Sequence, residues 1–105
     1  IHVQDLAEGH LSALRTIVQK TGVNIWNLGT GIGYSVLEMI RAFEQASGRA
    51  VSYQVVERRA GDIAECWADP EKAAHELDWK AQRGLPEMMA DTWRWQSGNP
   101  QGYGR

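Results

Sequence analysis

Val3, Leu6, Ala7, Leu11, Leu14, Ile17 and Val18 recur at spacings of three and four, which predicts an amphipathic helix over residues 4–19 with this stripe turned inward. Thr21-Gly22 interrupts the pattern. Val23, Ile25, Trp26 and Leu28 then predict a short, largely buried strand running into the glycine-rich stretch Gly29-Thr30-Gly31-Ile32-Gly33. Ser35 and Glu38 stand at the spacing of a capping box, in which the hydroxyl and the carboxylate each satisfy a free backbone donor at a helix start. The helix they open carries Leu37, Met39, Ile40 and Phe43 inward, runs to about residue 46 and stops at Gly48. Val51, Tyr53 and Val55 alternate with Ser52 and Gln54, so a second strand is predicted there, ending in the charged turn Glu57-Arg58-Arg59-Ala60-Gly61-Asp62. Asp69-Pro70 reads as a helix entry, with the carboxylate capping and proline in the first turn, and a short helix carries Ala73, Ala74 and Leu77 toward Trp79. A last helix starts near Gly84, turns Leu85, Met88, Met89, Thr92 and Trp93 inward, and ends at Ser97-Gly98-Asn99-Pro100. The pattern is that of a small mixed α/β lobe with about four helices and short strands.

Composition narrows the function. At 105 residues with 43% hydrophobic and 23% charged side chains, the chain is one ordinary globular domain. Eleven basic against thirteen acidic residues leave a formal charge of −2, without the basic footprint that nucleic acid or an anionic membrane would require. No apolar run approaches the ~20 residues that span a bilayer. A single cysteine, Cys66, forms no internal disulfide, so a reducing cytoplasm is the expected compartment. The chain opens on Ile1 without a methionine and enters an apolar-periodic segment at once, which predicts a piece of a longer polypeptide with an apolar face that the rest would cover.

Three groups of residues are candidates for chemistry. The glycine stretch lies between a predicted strand and a predicted helix, where a dinucleotide fingerprint would sit, but G-x-G-x-x-G from Gly29 needs glycine where Tyr34 stands. A plain turn, or a loop reaching toward a ligand held elsewhere, remains open. Arg58, Arg59 and Asp62 form the second group: guanidinium groups hold phosphate oxygens in two-toothed geometry and a carboxylate accepts from a sugar diol, which suits a nucleoside diphosphate, while a solvated charged turn is the plainer reading. Cys66 is the third. It stands beside Trp67 with no histidine near in sequence, which favours a packed thiol over a nucleophile. His2, His10 and His75 lack helical metal-ligand spacing, so no metal is expected. The five tryptophans read as core or interface residues, each asking for one hydrogen-bond acceptor.

Several blocks together resemble the C-terminal lobe of the UDP-glucose 4-epimerase family, within the extended short-chain dehydrogenases/reductases. They are Ile1-His2-Val3-Gln4-Asp5-Leu6-Ala7-Glu8-Gly9-His10, Asn27-Leu28-Gly29-Thr30-Gly31, Ser35-Val36-Leu37, Arg58-Arg59-Ala60-Gly61-Asp62, Trp67-Ala68-Asp69 and Glu76-Leu77-Asp78-Trp79. The T-W-x-W-Q-S-x-N-P-x-G-Y run from Thr92 to Tyr103 is the sharpest of them, since the R-x-G-D and W-A-D elements resemble a wider set of nucleotide-sugar dehydratases and epimerases. The resemblance implies an enzyme of galactose metabolism that interconverts UDP-glucose and UDP-galactose through a 4-keto intermediate. It implies a homodimer whose NAD-binding Rossmann domain and Tyr-x-x-x-Lys pair precede this chain. Tyr34 and Tyr53 are followed four residues on by Glu38 and Glu57, so neither opens such a pair, and no catalytic or cofactor-binding residue is assigned here.

Carried over by position, Arg59 is implied to meet the diphosphate, Asp62 the uridine ribose, and Val36 to wall the nucleotide. Cys66 matches a position beside the hexose that is bulky in some members and small in others, which implies that UDP-GlcNAc and UDP-GalNAc are also accepted. Gly84, where the family usually has Ser or Thr, and Ala64-Glu65 depart from its pattern. Another nucleotide-sugar dehydratase or epimerase, or a free-standing binding module, are the alternatives.

Overall fold

The computed structural model describes residues 1–104 and contains four helices, α1 (Val3–Ile17), α2 (Val36–Ser47), α3 (Glu71–Leu77) and α4 (Leu85–Gly98). They fall into two compact units: Ile1–Gly33 with Trp67–Gly84, and Tyr34–Cys66 with Leu85–Arg105.

In the first unit α1 packs on α3. Ala73, Leu77 and Trp79 are buried, with Ala13, Trp26, Leu28 and Ala81 packed around them. The side of α1 that closes this core carries Asp5 and Gly9, both buried, and not the apolar stripe that its periodicity suggested. Val3, Leu11, Leu14 and Val18 are exposed, at 76%, 53%, 63% and 79%. The reason is steric: a Cβ on Gly9 would stand 2.7 Å from Leu28 Cδ1 and 3.1 Å from Trp79 Cε2, so the helix approaches its neighbours on the face that lacks a side chain.

Asp5 is the polar centre of this unit. Its Oδ2 accepts the backbone N–H groups of Gln82 (3.1 Å) and Arg83 (2.9 Å), its Oδ1 accepts the Arg83 guanidinium, and its backbone carbonyl accepts Trp79 Nε1 at 3.1 Å. Burial opposes its charge, but those donors outweigh burial and hold the carboxyl below its ordinary value. Glu8 adds a weaker contact to Arg83 at 3.4 Å. On the surface of the unit, Glu76 Oε2 accepts Lys20 Nζ and Trp26 Nε1, both at 2.9 Å, and these donors keep its carboxyl below the usual range.

In the second unit α2 packs on α4. The capping box at Ser35 and Glu38 forms as the spacing predicts, and α2 closes on Gly48 at φ 66°. Phe43 and Trp93 meet edge to face, with centroids 5.9 Å apart at 89°, and Arg49 lies 5.1 Å from the Trp93 ring centroid. Trp95 turns elsewhere and meets Tyr103 at 4.9 Å, as two tryptophans two positions apart on one helix require. Thr92 is exposed rather than inward, its hydroxyl donating to the Met88 carbonyl at 2.7 Å.

The entry to α3 differs in detail from the expected one. Pro70 itself occupies the cap position, and Asp69 Oδ1 accepts the Glu71 N–H at 2.9 Å from one residue further back. Runs 23–28 and 51–56, predicted as strands, are not paired among the described residues. A strand is held by hydrogen bonds to a neighbouring backbone, which alternation in the sequence does not supply.

Candidate functional site

The second unit carries all four candidate residues. Arg59 and Asp62 are brought together by a tight turn. Asp62 Oδ2 accepts both the backbone N–H and the Nε–H of Arg59, each at 3.2 Å, and the Asp62 N–H donates to the Arg59 carbonyl at 3.2 Å. Gly61 adopts φ 87° within the turn, a conformation that side chains disfavour. The Arg59 side chain is 87% exposed and that of Asp62 39%, so the pair is presented to solvent and free to meet a ligand. Arg58, beside them, is exposed too.

Val36 is the first residue of α2, held in place by the capping box, and is 75% exposed. A hydrophobic side chain so placed is open to an apolar contact. Cys66 is exposed and unbridged rather than packed, against the plainer expectation for it. Neither side chain bonds to the turn at Arg59 and Asp62. Residues 52–67 are exposed along their whole length, so the turn sits on a stretch of chain that buries little of itself within the unit.

The glycine stretch belongs to the first unit and packs closely on a neighbouring segment. A Cβ on Gly29 would stand 3.0 Å from Ala68 Cβ, one on Gly31 3.5 Å from Pro70 Cδ, and Gly31 has φ 74°. The glycines serve a turn closely packed on residues 68–70, and Thr30 Oγ1 ties that turn by accepting the Ile32 N–H at 3.2 Å. No described residue is assigned to NAD. No cluster of three or more His, Cys, Asp or Glu groups able to hold a metal occurs among the described residues. No helix among them is long and apolar enough to cross a membrane.

Sequence reasoning missed the ion pair of Asp5 with Arg83, which joins residues 78 positions apart. An aspartate in the first turn of a helix reads as a partner for the helix dipole, and nothing local signals that residues 82–83 fold back onto it.

The profile of a family described as GDP-mannose 4,6 dehydratase matches residues 2–92. UDP-glucose 4-epimerase of Bacillus subtilis is 61% identical over 103 residues, covering 98% of this chain and 30% of that protein. The crystal structure of UDP-glucose 4-epimerase from Bifidobacterium longum in complex with NAD+ and UDP superposes with a TM-score of 0.90 at 50% identity, covering 98% of this chain and 30% of that one. The enzyme from Stenotrophomonas maltophila, with bound NAD and formylated UDP-arabinopyranose, gives 0.89 at 46% identity, over 96% and 30%. This likeness along nearly the whole chain bears out the expected fold class and the resemblance to the 4-epimerase family. The chain spans about 30% of the length of these relatives.

Proposed function

We propose, from the premise that this chain belongs to the GDP-mannose 4,6 dehydratase family, that it is the C-terminal UDP-sugar-binding lobe of a UDP-glucose 4-epimerase. The observation that carries the reading is the exposed turn in which Arg59 and Asp62 stand together. It offers terminal guanidinium N–H groups to a diphosphate and a carboxylate oxygen to a ribose hydroxyl, the two polar parts of UDP that a protein can grip by charge-assisted bonds. Val36 offers an apolar contact to the nucleotide, and Cys66 a small side chain on the hexose side.

In this reading the whole protein, cytoplasmic and homodimeric, interconverts UDP-glucose and UDP-galactose in galactose metabolism. NAD supplies the hydride chemistry and is held by a Rossmann domain outside these residues. The part played by this lobe is binding and orientation: it fixes the nucleotide end so that the hexose is offered in a repeatable position. With one wall of the pocket and no reactive group, it is inactive alone. The small Cys66 side chain leaves room for N-acetylated hexoses, so UDP-GlcNAc and UDP-GalNAc are proposed as further substrates of the whole protein.

The test is an NMR titration of this chain with UDP, followed through the backbone amides of Val36, Arg59 and Asp62. Saturable shifts centred on those amides, with a Kd of about 1 mM for so open a site, are expected. Shifts absent there, or spread evenly over the surface, overturn the assignment of the site.

A further inference from the structure

The turn that gathers Arg59 and Asp62 also fixes how they meet. A guanidinium carries five N–H donors, one on Nε and four on its two terminal nitrogens. Asp62 takes Nε and the backbone N–H of the same arginine with a single oxygen, Oδ2, and its own N–H closes the ring to the Arg59 carbonyl. Among the described residues, nothing bonds to the four terminal donors or to the second carboxylate oxygen, Oδ1.

We infer that Asp62 is the positioning residue for Arg59: it holds the guanidinium by its Nε so that the terminal fork is ready for a diphosphate before any ligand arrives. The inference rests on the reading that Arg59 meets the diphosphate. An exposed arginine otherwise rotates about all its side-chain bonds and loses that freedom on binding, whereas one already tied at Nε and anchored through its own backbone has less to lose. The aspartate charge works in the opposite direction, since a carboxylate beside an anion site repels the anion, though at this exposure water and salt screen the repulsion. Preorganisation is the larger effect, and the two have opposite signs when the carboxylate is removed.

Inorganic pyrophosphate separates the roles, because it has the diphosphate and no ribose. Its dissociation constant is measured by NMR on this chain as the natural sequence and as Asp62→Ala, Asp62→Asn, Arg59→Lys and the Arg59→Lys, Asp62→Ala pair. Asp62→Ala weakens binding about three- to tenfold, the range set by releasing one ordered side chain. Asp62→Asn, which keeps a carbonyl oxygen for Nε and loses the charge, binds at least as well as the natural sequence. Asp62→Ala no longer weakens binding in the Arg59→Lys background, because lysine has no Nε–H to hold and only the screened repulsion is relieved. Unchanged α2 and α4 amide shifts show that each variant is folded. Asp62→Ala binding pyrophosphate as tightly as the natural sequence, or more tightly, overturns the inference. If the natural sequence binds UDP and pyrophosphate and Arg59→Lys weakens both, that failure leaves the site assignment standing. If the natural sequence takes neither ligand at Arg59, the site assignment fails and the inference with it.

Discussion

Removing the Asp5 carboxylate strikes the polar centre of the first unit. Asp5 is wholly shielded from solvent, and its two oxygens serve the N–H groups of Gln82 and Arg83 and the Arg83 guanidinium. Asp5→Ala leaves these donors facing a void. Hydrogen bonds to a charged group are worth about 1.5–3 kcal/mol each, and breaking one side of a buried ion pair costs about 3–5 kcal/mol in all, so about 3–5 kcal/mol is expected. That is a large share of the roughly 5–15 kcal/mol that stabilises a domain, and at about 4–8 °C per kcal/mol it lowers Tm by roughly 12–40 °C. Asp5→Asn keeps one oxygen for the backbone donors but turns an amide N–H2 toward the guanidinium, and falls between. The pH dependence has a definite sign. The native carboxyl lies below the ordinary value of 3.8, so the contribution of Asp5 is complete above that value and is lost as pH falls through the native pKa. Thermal unfolding from pH 7 to pH 2, with hydrogen exchange at the Gln82 and Arg83 amides, reads both effects. A loss under about 1 kcal/mol for Asp5→Ala, or acid limbs that run parallel for Asp5→Asn and the natural sequence, would refute the reasoning.

Gly9→Ala should destabilise by about 1–3 kcal/mol despite the better helix propensity of alanine, because the new methyl meets Leu28 and the rigid ring of Trp79; chemical denaturation gives the sign, and a gain in stability contradicts the packing described. Ser35→Ala removes the hydroxyl half of the capping box at α2 and should cost about 1 kcal/mol, seen as faster amide exchange at Glu38 and in the first turn, with α1 unaffected. In the whole protein, Cys66→Tyr should lower epimerisation of UDP-GlcNAc and UDP-GalNAc about tenfold or more while sparing UDP-glucose and UDP-galactose, by closing the room a small side chain leaves. Poor activity on the acetylated pair before and after the change would contradict the role given to Cys66.

The sequence by itself determined what depends on neighbours in the chain. The capping box of Ser35 and Glu38 and the stop at Gly48 each act across a separation of a few residues, so composition and spacing alone place them. Four helices were legible for the same reason, and the family resemblance came from blocks of contiguous residues. The tertiary structure decided what depends on chain segments that meet from afar. Asp5 is bonded to Gln82 and Arg83, and Trp26 to Glu76, across separations of 77, 78 and 50 residues, and no local pattern encodes such meetings. It also decided which face of α1 turns inward. Periodicity finds an apolar stripe but not the neighbour that stripe will face, and here Gly9, lacking a side chain, lets Leu28 and Trp79 approach on the opposite terms. The alternating runs at 23–28 and 51–56 follow the same logic: alternation is a property of the sequence, whereas a strand exists only where a second backbone lies alongside to complete its hydrogen bonds.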